Sequence, residues 1–289
     1  MELEQSFIAL IEQSIKTNWY LNALTDYKGI TLQYRDVARK IEKIHILLEN
    51  AGIEKGDKIA ICGRNSAHWT VTYLAVITYG AVVVPILHEF KADQVHNIVN
   101  HSESRLLFVG DQIWENLNEA AMPHLEGIIE LKDFGVPVSR SEKLAYARDH
   151  LNEIFGHKFP CRFRPDDISY EKEKSEDLAI INYTSGTTGY SKGVMLPYRS
   201  ILSNVLYCKE KIGLKAGDSV VSMLPLGHFR FSLRFHSRRP SMVSYPYAIT
   251  QNHSRIICGN PPARYSLRTT DCGKNIQEKY SSQSRQQIR

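Results

Sequence analysis

The sequence contains few cysteines, and their positions match no familiar site. There are five, an odd number, and they lie far apart without a Cys-x-x-Cys pair or a Cys/His ligand spacing. Such spacing argues against a disulfide framework and against a cysteine-ligated metal centre. Reduced thiols in a cytoplasmic protein are the expectation for Cys62, Cys161, Cys208, Cys258 and Cys272.

The pattern of a secretory leader or a membrane span is also missing. The N-terminal stretch, MELEQSFIALIEQSIKTNW, carries acidic residues where a leader needs basic ones, and it predicts an amphipathic helix. The most apolar run, residues 71–87, is interrupted by two threonines, a glycine and a proline. It is shorter than the roughly 20 residues of a membrane span. We therefore expect no transmembrane segment, and a buried helix followed by a buried strand in this run.

Charge divides the chain into two regions. Its composition, with 43% hydrophobic and 23% charged residues over 289 positions, is ordinary for a soluble globular protein. Residues 1–228 hold 25 basic and 29 acidic residues, whereas residues 229–289 hold 11 basic and 2 acidic ones. The second region is rich in arginine and serine and has no sustained apolar period. We expect a folded domain over residues 1–228 and a poorly ordered basic tail over residues 229–289.

Residues 1–228 alternate between predicted strands and predicted helices. Strands are expected at GITLQY, KIAIC, AVVVPI, RLLFVG, GIIEL and LAIINY, and helices at RDVARKIEKIHILLENAG, SAHWTVTYLAVITYG and KADQVHNIVNHS. Gly52 is the predicted stop of the first of these helices. This alternation predicts an α/β fold with a mostly parallel sheet flanked by helices. Residues 157–177 are charged and lack a period, which predicts a surface loop.

A stretch rich in glycine and hydroxyl groups follows the last apolar strand, with the sequence YTSGTTGYSKGVML over residues 183–196. Glycines let backbone N–H groups approach a phosphate, hydroxyls turn to donate hydrogen bonds, and a lysine offsets the charge. Gly193 and Ser191 belong to the same pattern. A strand-to-helix turn without a ligand is the commoner alternative. The predicted triphosphate-binding residues are Thr184, Ser185, Gly186, Thr187, Thr188, Gly189 and Lys192.

The stretch is not a Walker A loop. That motif, G-x-x-x-x-G-K-[ST], would begin at Gly186 and place its lysine at Lys192. Ser191 then stands where the second glycine is needed, and Gly193 where a magnesium-binding hydroxyl is needed. No G-x-G-x-x-G occurs in the chain. Two common nucleotide-binding signatures are therefore excluded.

The same stretch resembles the phosphate-binding signature of the adenylate-forming superfamily of acyl-CoA synthetases, nonribosomal adenylation domains and luciferases, Y-T-S-G-T-T-G-x-P-K-G-V. Residues 56–86, 196–205 and 217–228 also resemble this family, in the expected order. Ser191 replaces the usual proline, and we expect a modest effect on binding. The resemblance covers residues 1–228. Within the superfamily, these residues are most similar to the long-chain fatty acyl-CoA synthetases. The resemblance implies a partial N-terminal AMP-binding domain.

The resemblance implies a two-step reaction. A carboxylate attacks the α-phosphorus of MgATP, which releases pyrophosphate and forms an acyl-adenylate, and coenzyme A then takes the acyl group. Lys192 would screen the departing phosphates, and His228 would lie near the carboxylate as a second catalytic residue. A histidine at a strand end without a chemical role is the alternative for His228. The implied substrate is a fatty acid, with an aryl or amino acid as the open alternative.

Three later parts of the family have no counterpart in residues 229–289. These are a Y-G-x-T-E segment with a magnesium-binding glutamate, a ribose-binding aspartate and a small C-terminal domain with a catalytic lysine. The chain alone is therefore expected to be inactive. A frameshift would explain the tail: Met242 and Val243 require ATG followed by G, so the shifted codon is TGG for tryptophan. The segment MVSYPYAITQNH can then become WFLTRMPSPKII, and sequencing of the gene tests this hypothesis.

The basic tail also allows functions of other classes. It could be an arm that contacts nucleic acid or an anionic membrane surface, attached to a non-catalytic nucleotide-binding fragment. Its arginines are scattered and no nucleic-acid motif is present, so no specific nucleic acid is predicted, and a peripheral membrane contact stays open. A catalytically inactive regulator that senses ATP is a third hypothesis, which predicts ATP affinity without turnover.

Other polar residues give weaker signals. His68, His96 and His101 fall in predicted helices at spacings that do not suit metal ligands, so no metal site is predicted. Asp166 and Asp167 lie in the charged loop and are expected at a solvated surface. Tyr183 is expected to pack against the glycine-rich loop and to have no catalytic role.

Overall fold

The computed structural model describes residues 6–184, 192–211, 219–222 and 241–244. The helices are α1 Phe7–Thr17, α2 Tyr34–Asn50, α3 Ala67–Tyr79, α4 Ala92–His101, α5 Asp111–Trp114, α6 Glu142–Asp149, α7 Leu151–Lys158 and α8 Tyr198–Lys211. The strands are β1 Asn22–Asp26, β2 Thr31–Gln33, β3 Lys58–Cys62, β4 Val82–Ile86, β5 Leu106–Val109, β6 Gly127–Glu130, β7 Val138–Ser139, β8 Leu178–Thr184, β9 Lys192–Pro197, β10 Ser219–Ser222 and β11 Ser241–Ser244.

A seven-stranded sheet organises most of the described chain. Its strand order is β7-β6-β5-β3-β4-β8-β9. The five central strands are parallel, and the two edge strands, β7 and β9, are antiparallel to their neighbours. The predicted α/β fold with a mostly parallel sheet is confirmed. The six predicted strands and the three helices predicted between them are all present, with ends shifted by at most two residues, and α1 lies where an amphipathic helix was predicted.

Helix α3 and strand β4 show why the apolar run at residues 71–87 stays inside the protein. The side chain of Ser66 accepts a hydrogen bond from the N–H of Trp69 and begins the helix, and Gly80, at φ 83°, ends it. Nearly every residue of α3 and all five of β4 are buried. The predicted order of buried helix and buried strand is confirmed. Within the described residues, no helix is long and apolar enough to cross a bilayer.

Helices pack on both faces of the sheet. The larger apolar cluster joins α1, α2, α3 and α8 to one face, and the smaller cluster joins α4 to the other. Helix α2 turns its apolar side toward the core, and Gly52 follows it at φ 69°, which confirms the predicted stop. Of the cysteines in residues 6–184, Cys62 is buried, Cys161 is exposed, and both are free.

The segment at residues 157–177 is more than a surface loop. Its first residues complete α7, and Pro165–Asp167 form a 3₁₀ turn. Phe163, Ile168 and Tyr170 are buried in the core. The carboxylate of Glu173 accepts hydrogen bonds from the N–H groups of Phe7 and Ile8 and so caps α1. Isolated apolar residues without a period concealed this packing, because their partners lie far away in the sequence.

A second sheet has the order β10-β11-β1-β2. Strand β11 runs parallel to both β1 and β10, and Leu24 is the partner of Met242. Strand β11 lies within the predicted tail, so residues 241–244 of that tail join a sheet. The rest of residues 229–289 lies outside the described residues, and the domain boundary after residue 228 stays a prediction.

Candidate functional site

The predicted phosphate-binding stretch joins two antiparallel strands. Strand β8 ends at Thr184 and β9 begins at Lys192, and these two residues are partners across the ladder. Strands β8 and β9 are therefore the two arms of a β-hairpin, and residues 185–191 are the loop segment between them in the sequence. The alternative of a strand-to-helix turn is wrong, because α8 begins only after β9, at Tyr198. A Walker A loop leads directly into a helix, so this geometry agrees with its exclusion.

Strand β8 ends, and β9 begins, at the carboxyl edge of the parallel strands. Strand β8 runs parallel to β4, with Ile180 opposite Val83. Residues that follow β4 and β8 therefore leave the sheet on the same side. In open α/β sheets, ligands bind outside the carboxyl ends of the strands. The fold thus places Thr184 and Lys192 where a ligand site is expected.

Two of the predicted site residues can be located. Thr184 and Lys192 are both exposed, and the ladder brings them together at the base of the loop. A threonine hydroxyl and a lysine ammonium group are both donors that suit phosphate oxygens, so the described residues fit a polyphosphate. The other predicted site residues lie outside the described residues: Ser185, Gly186, Thr187, Thr188, Gly189, their neighbour Ser191, and His228.

Tyr183 and Gly193 form the next pair below the loop. Tyr183 is buried, and a Cβ atom on Gly193 would lie 3.2 Å from its Cζ and 2.9 Å from Cγ2 of Ile181. The ring of Tyr183 thus covers the bare backbone of Gly193, as aromatic residues often cover glycines across a sheet edge. Tyr183 packs against β9, at the base of the loop. Gly193, considered above only for approach to phosphate, also has a packing role.

The hydroxyl of Tyr183 has one partner in the described structure, His101. The distance from its Oη to Nδ1 of His101 is 2.7 Å, and the two rings meet edge to face with centroids 5.7 Å apart. Burial raises the pKa of Tyr183, so its hydroxyl keeps its proton at neutral pH. His101 is the last residue of α4, 82 positions before Tyr183. Sequence analysis missed this pair because no local spacing links the two residues.

The other histidines of the predicted helices have structural partners. The ring of His68 packs on Phe134, and burial lowers the pKa of His68. Nε2 of His96 accepts a hydrogen bond from the N–H of Asn118. Across the residues that the structure describes, no group of three His, Cys, Asp or Glu side chains is placed to hold a metal ion.

CoA ligases are similar in sequence to about two thirds of this chain. A human long-chain-fatty-acid–CoA ligase, ACSBG2, is 31% identical over 199 residues, which are 68% of this chain and 29% of that protein. A 4-chlorobenzoate–CoA ligase from an Arthrobacter species is 26% identical over 207 residues, 69% of this chain and 35% of that protein. The chain therefore spans about a third of the length of these relatives.

Solved structures share the fold. The N-terminal domain of FACL13 from Mycobacterium tuberculosis superposes with a TM-score of 0.68 at 20% sequence identity, over 88% of this chain and 60% of that one. A family model described as AMP-binding enzyme matches residues 12–233, slightly beyond the end of the resemblance at residue 228. That match includes β8, β9 and the loop between them. On this match, which covers most of its length, the chain belongs to the family of AMP-binding enzymes.

Proposed function

We propose that this chain is the N-terminal part of an AMP-forming acid–CoA ligase that activates a fatty acid. The family and its CoA ligase relatives support acid activation with ATP. The fatty acid is favoured because the human relative carries a long-chain-fatty-acid name, whereas the Arthrobacter relative leaves an aryl acid as the alternative. The reaction belongs to the whole ligase, of which this chain is about a third by length.

The observation that carries the proposal is the hairpin between β8 and β9. Its loop holds glycines and hydroxyl residues at every position except Tyr190, and Lys192 stands opposite Thr184 at its base. Thr184 is the last residue of strand β8, whose preceding residues are mostly buried, so the base of the loop is held by the sheet. A fixed set of donors stabilises charge without reorganisation during the reaction.

The predicted site residues would have distinct tasks in the first step. Thr184, the loop hydroxyls and the glycine N–H groups would hold the β- and γ-phosphates. The ammonium group of Lys192 would offset the negative charge that grows on pyrophosphate as the carboxylate oxygen bonds to the α-phosphorus. His228 would lie beside the carboxylate and help to orient it. The protein's contribution is thus orientation and charge stabilisation.

Mg²⁺ and coenzyme A belong to the proposal through the family. Mg²⁺ would enter with ATP and lower the charge of the phosphates. Coenzyme A would supply the thiol that takes the acyl group from the adenylate. Of the described residues, Thr184 and Lys192 would contribute to the phosphate end of this site.

Titration calorimetry with MgATP tests the proposal on the purified chain. We expect saturable binding that weakens about 10- to 100-fold in Lys192→Met, because a hydrogen bond to a charged group is worth about 1.5–3 kcal/mol. Lys143→Met is the matched control, since Lys143 is exposed on α6. Absence of binding to the unmodified chain, or equal losses in the two variants, would contradict the proposal.

The gene sequence, and not turnover by the chain alone, distinguishes this function from its alternative. We expect negligible pyrophosphate exchange by the chain alone, because the family's later elements have no counterpart in residues 229–289. A non-catalytic nucleotide-binding fragment with a basic tail predicts the same result, so the gene sequence must distinguish the two. A shifted frame that stays open and encodes the family's later segments supports the ligase. An early stop codon in that frame favours the nucleotide-binding fragment.

A further inference from the structure

We propose that His101 is a positioning residue for the phosphate loop, which it holds through the hydroxyl of Tyr183. The inference rests on the proposed function, because it assigns a support to the same loop. His101 lies on α4, and Tyr183 is the last buried residue of β8 before the loop. Their hydrogen bond of 2.7 Å ties the base of the hairpin to a helix on the sheet's face.

Few other side chains anchor the hairpin at this end. The first four residues of β9 are exposed, and Thr184 is exposed as well. Within the described residues, the next buried side chain after Tyr183 is that of Tyr198, beyond the end of β9. The orientation of the loop base therefore depends on the ladder hydrogen bonds and on how firmly Tyr183 is held.

Gly193, the strand partner of Tyr183, allows the ring of Tyr183 to pack on one side of β9. Because Gly193 has no side chain, the ring of Tyr183 can pack closely against β9 next to the Thr184–Lys192 pair. A phenylalanine would fill the same space. The hydroxyl adds a second contact, since it lies 2.7 Å from Nδ1 of His101. His101 is thus linked to Lys192 indirectly: it contacts the side chain of Tyr183, and Tyr183 pairs with Gly193, the neighbour of Lys192.

The hydroxyl also has an energetic reason to keep this partner. A buried hydroxyl without a hydrogen bond costs about 1–3 kcal/mol in protein mutational data. The ring of Tyr183 is buried, while His101 is exposed and could otherwise turn toward water. Loss of His101 would therefore remove the hydrogen-bond partner of Tyr183. We expect Tyr183, and with it the Thr184–Lys192 pair at the loop base, to be held less firmly.

Hydrogen–deuterium exchange tests the support without any ligand. In His101→Ala and in Tyr183→Phe, we expect amides of residues 180–184 and 192–196 to exchange about 2- to 10-fold faster, the effect of one hydrogen bond of about 0.5–1.5 kcal/mol. The double variant should match the single ones, because both remove the same bond. His101→Asn should restore protection, since its side chain places a polar atom close to the position of Nδ1. His96→Ala, which loses a different hydrogen bond of α4, should leave these amides unchanged.

MgATP binding by calorimetry then tests the functional consequence. We expect the dissociation constant to rise about 2- to 10-fold in His101→Ala and to recover in His101→Asn, with no change in His96→Ala. Urea midpoints of all variants serve to separate a local from a global effect. Unchanged exchange in His101→Ala, or faster exchange with unchanged ATP affinity, would overturn the inference. If the unmodified chain binds no MgATP, the proposed function fails, while the exchange result still decides whether His101 holds the hairpin.

Discussion

Strands β4 and β9 belong to the same sheet but are stabilised in opposite ways. All five residues of β4 are buried, and the strand has a parallel neighbour on each side. Strand β9 pairs with β8 alone among the described strands, and its first four residues are exposed. The interior strand is held by burial on both faces. The edge strand is held by its ladder and by the contact of Tyr183 with Gly193.

Because of this difference, the residues that stabilise the fold are not the residues of the proposed phosphate site. Burial of apolar surface supplies most of the folding free energy, and it is concentrated in β3, β4, β5 and the helices that cover them. The proposed phosphate loop begins where that burial ends. Substitutions in the interior should therefore reduce stability strongly, and substitutions of exposed side chains at the edge should have little effect on the fold.

The largest expected effect is in the interior, at Phe108. This residue of β5 is fully buried in the larger cluster. Phe108→Ala should lower the free energy of unfolding by about 3–5 kcal/mol, because it removes apolar contacts and leaves a cavity. Urea denaturation followed by circular dichroism measures the change. Phe108→Leu, which keeps most of the volume, is the control, and a loss below about 1 kcal/mol in Phe108→Ala would break the contrast.

The interior was also the part that the sequence predicted best. Helix α3 carries its own boundaries, since Ser66 caps it and Gly80 ends it in a left-handed conformation. Strands β3 and β4 are short apolar runs between such signals. Local chemistry and tertiary packing agree in these elements, so a pattern in the sequence was sufficient to find them.

The edge was harder to predict because its contacts are long-range. Strand β9 has no alternation of buried and exposed residues, and its Lys-Gly start favours a turn. Only pairing with β8 makes it a strand. Strand β1 was missed for the same reason, since its partners in the second sheet include β11, far along the chain. Of the site, the motif predicted the loop, but nothing in it indicated the link between His101 and Tyr183.

The next effect concerns the pH dependence of the interior. Burial lowers the pKa of His45 to about 4, whereas a histidine in the unfolded chain titrates near its ordinary value of 6.5. The unfolded chain therefore binds more protons between these values. This term of the folding free energy is complete above pH 6.5 and is lost as pH falls toward 4, by at most about 3 kcal/mol. His45 is buried, and its Nε2 lies 2.9 Å from the carbonyl oxygen of Ala75.

The titration of Glu42 has the opposite effect on stability as pH falls, so the experiment needs a variant that keeps Glu42. Burial raises the pKa of Glu42, so the folded protein takes up that proton at higher pH than the unfolded chain does. This term stabilises the fold as pH falls. His45→Gln keeps Glu42 and removes the histidine titration. We expect the variant to lose less stability than the unmodified chain between pH 6.5 and 4, measured by urea midpoints. Parallel pH profiles would show that His45 is protonated inside the fold.

A smaller effect is expected at the base of the hairpin. Gly193→Ala would place a Cβ atom 2.9 Å from Ile181 and 3.2 Å from Tyr183. Overpacking of this kind costs about 1–3 kcal/mol. Gly156→Ala is the matched control, because its Cβ would meet nothing within 4 Å and Gly156 lies in α7, where alanine favours the helix. Destabilisation in the first variant and none in the second would confirm that Gly193 is needed for packing.

The smallest effect is expected on the exposed side of β9. Met195 is 64% exposed, so Met195→Thr should change the free energy of unfolding by less than about 0.5 kcal/mol, as surface substitutions usually do. Threonine also suits a strand, so backbone preference does not oppose the change. Urea denaturation measures it, with Phe108→Ala as the positive reference. A loss above about 1 kcal/mol would mean that Met195 is covered in solution. Strand β9 would then be an interior strand like β4, and the separation of the site from the stabilising core would no longer hold.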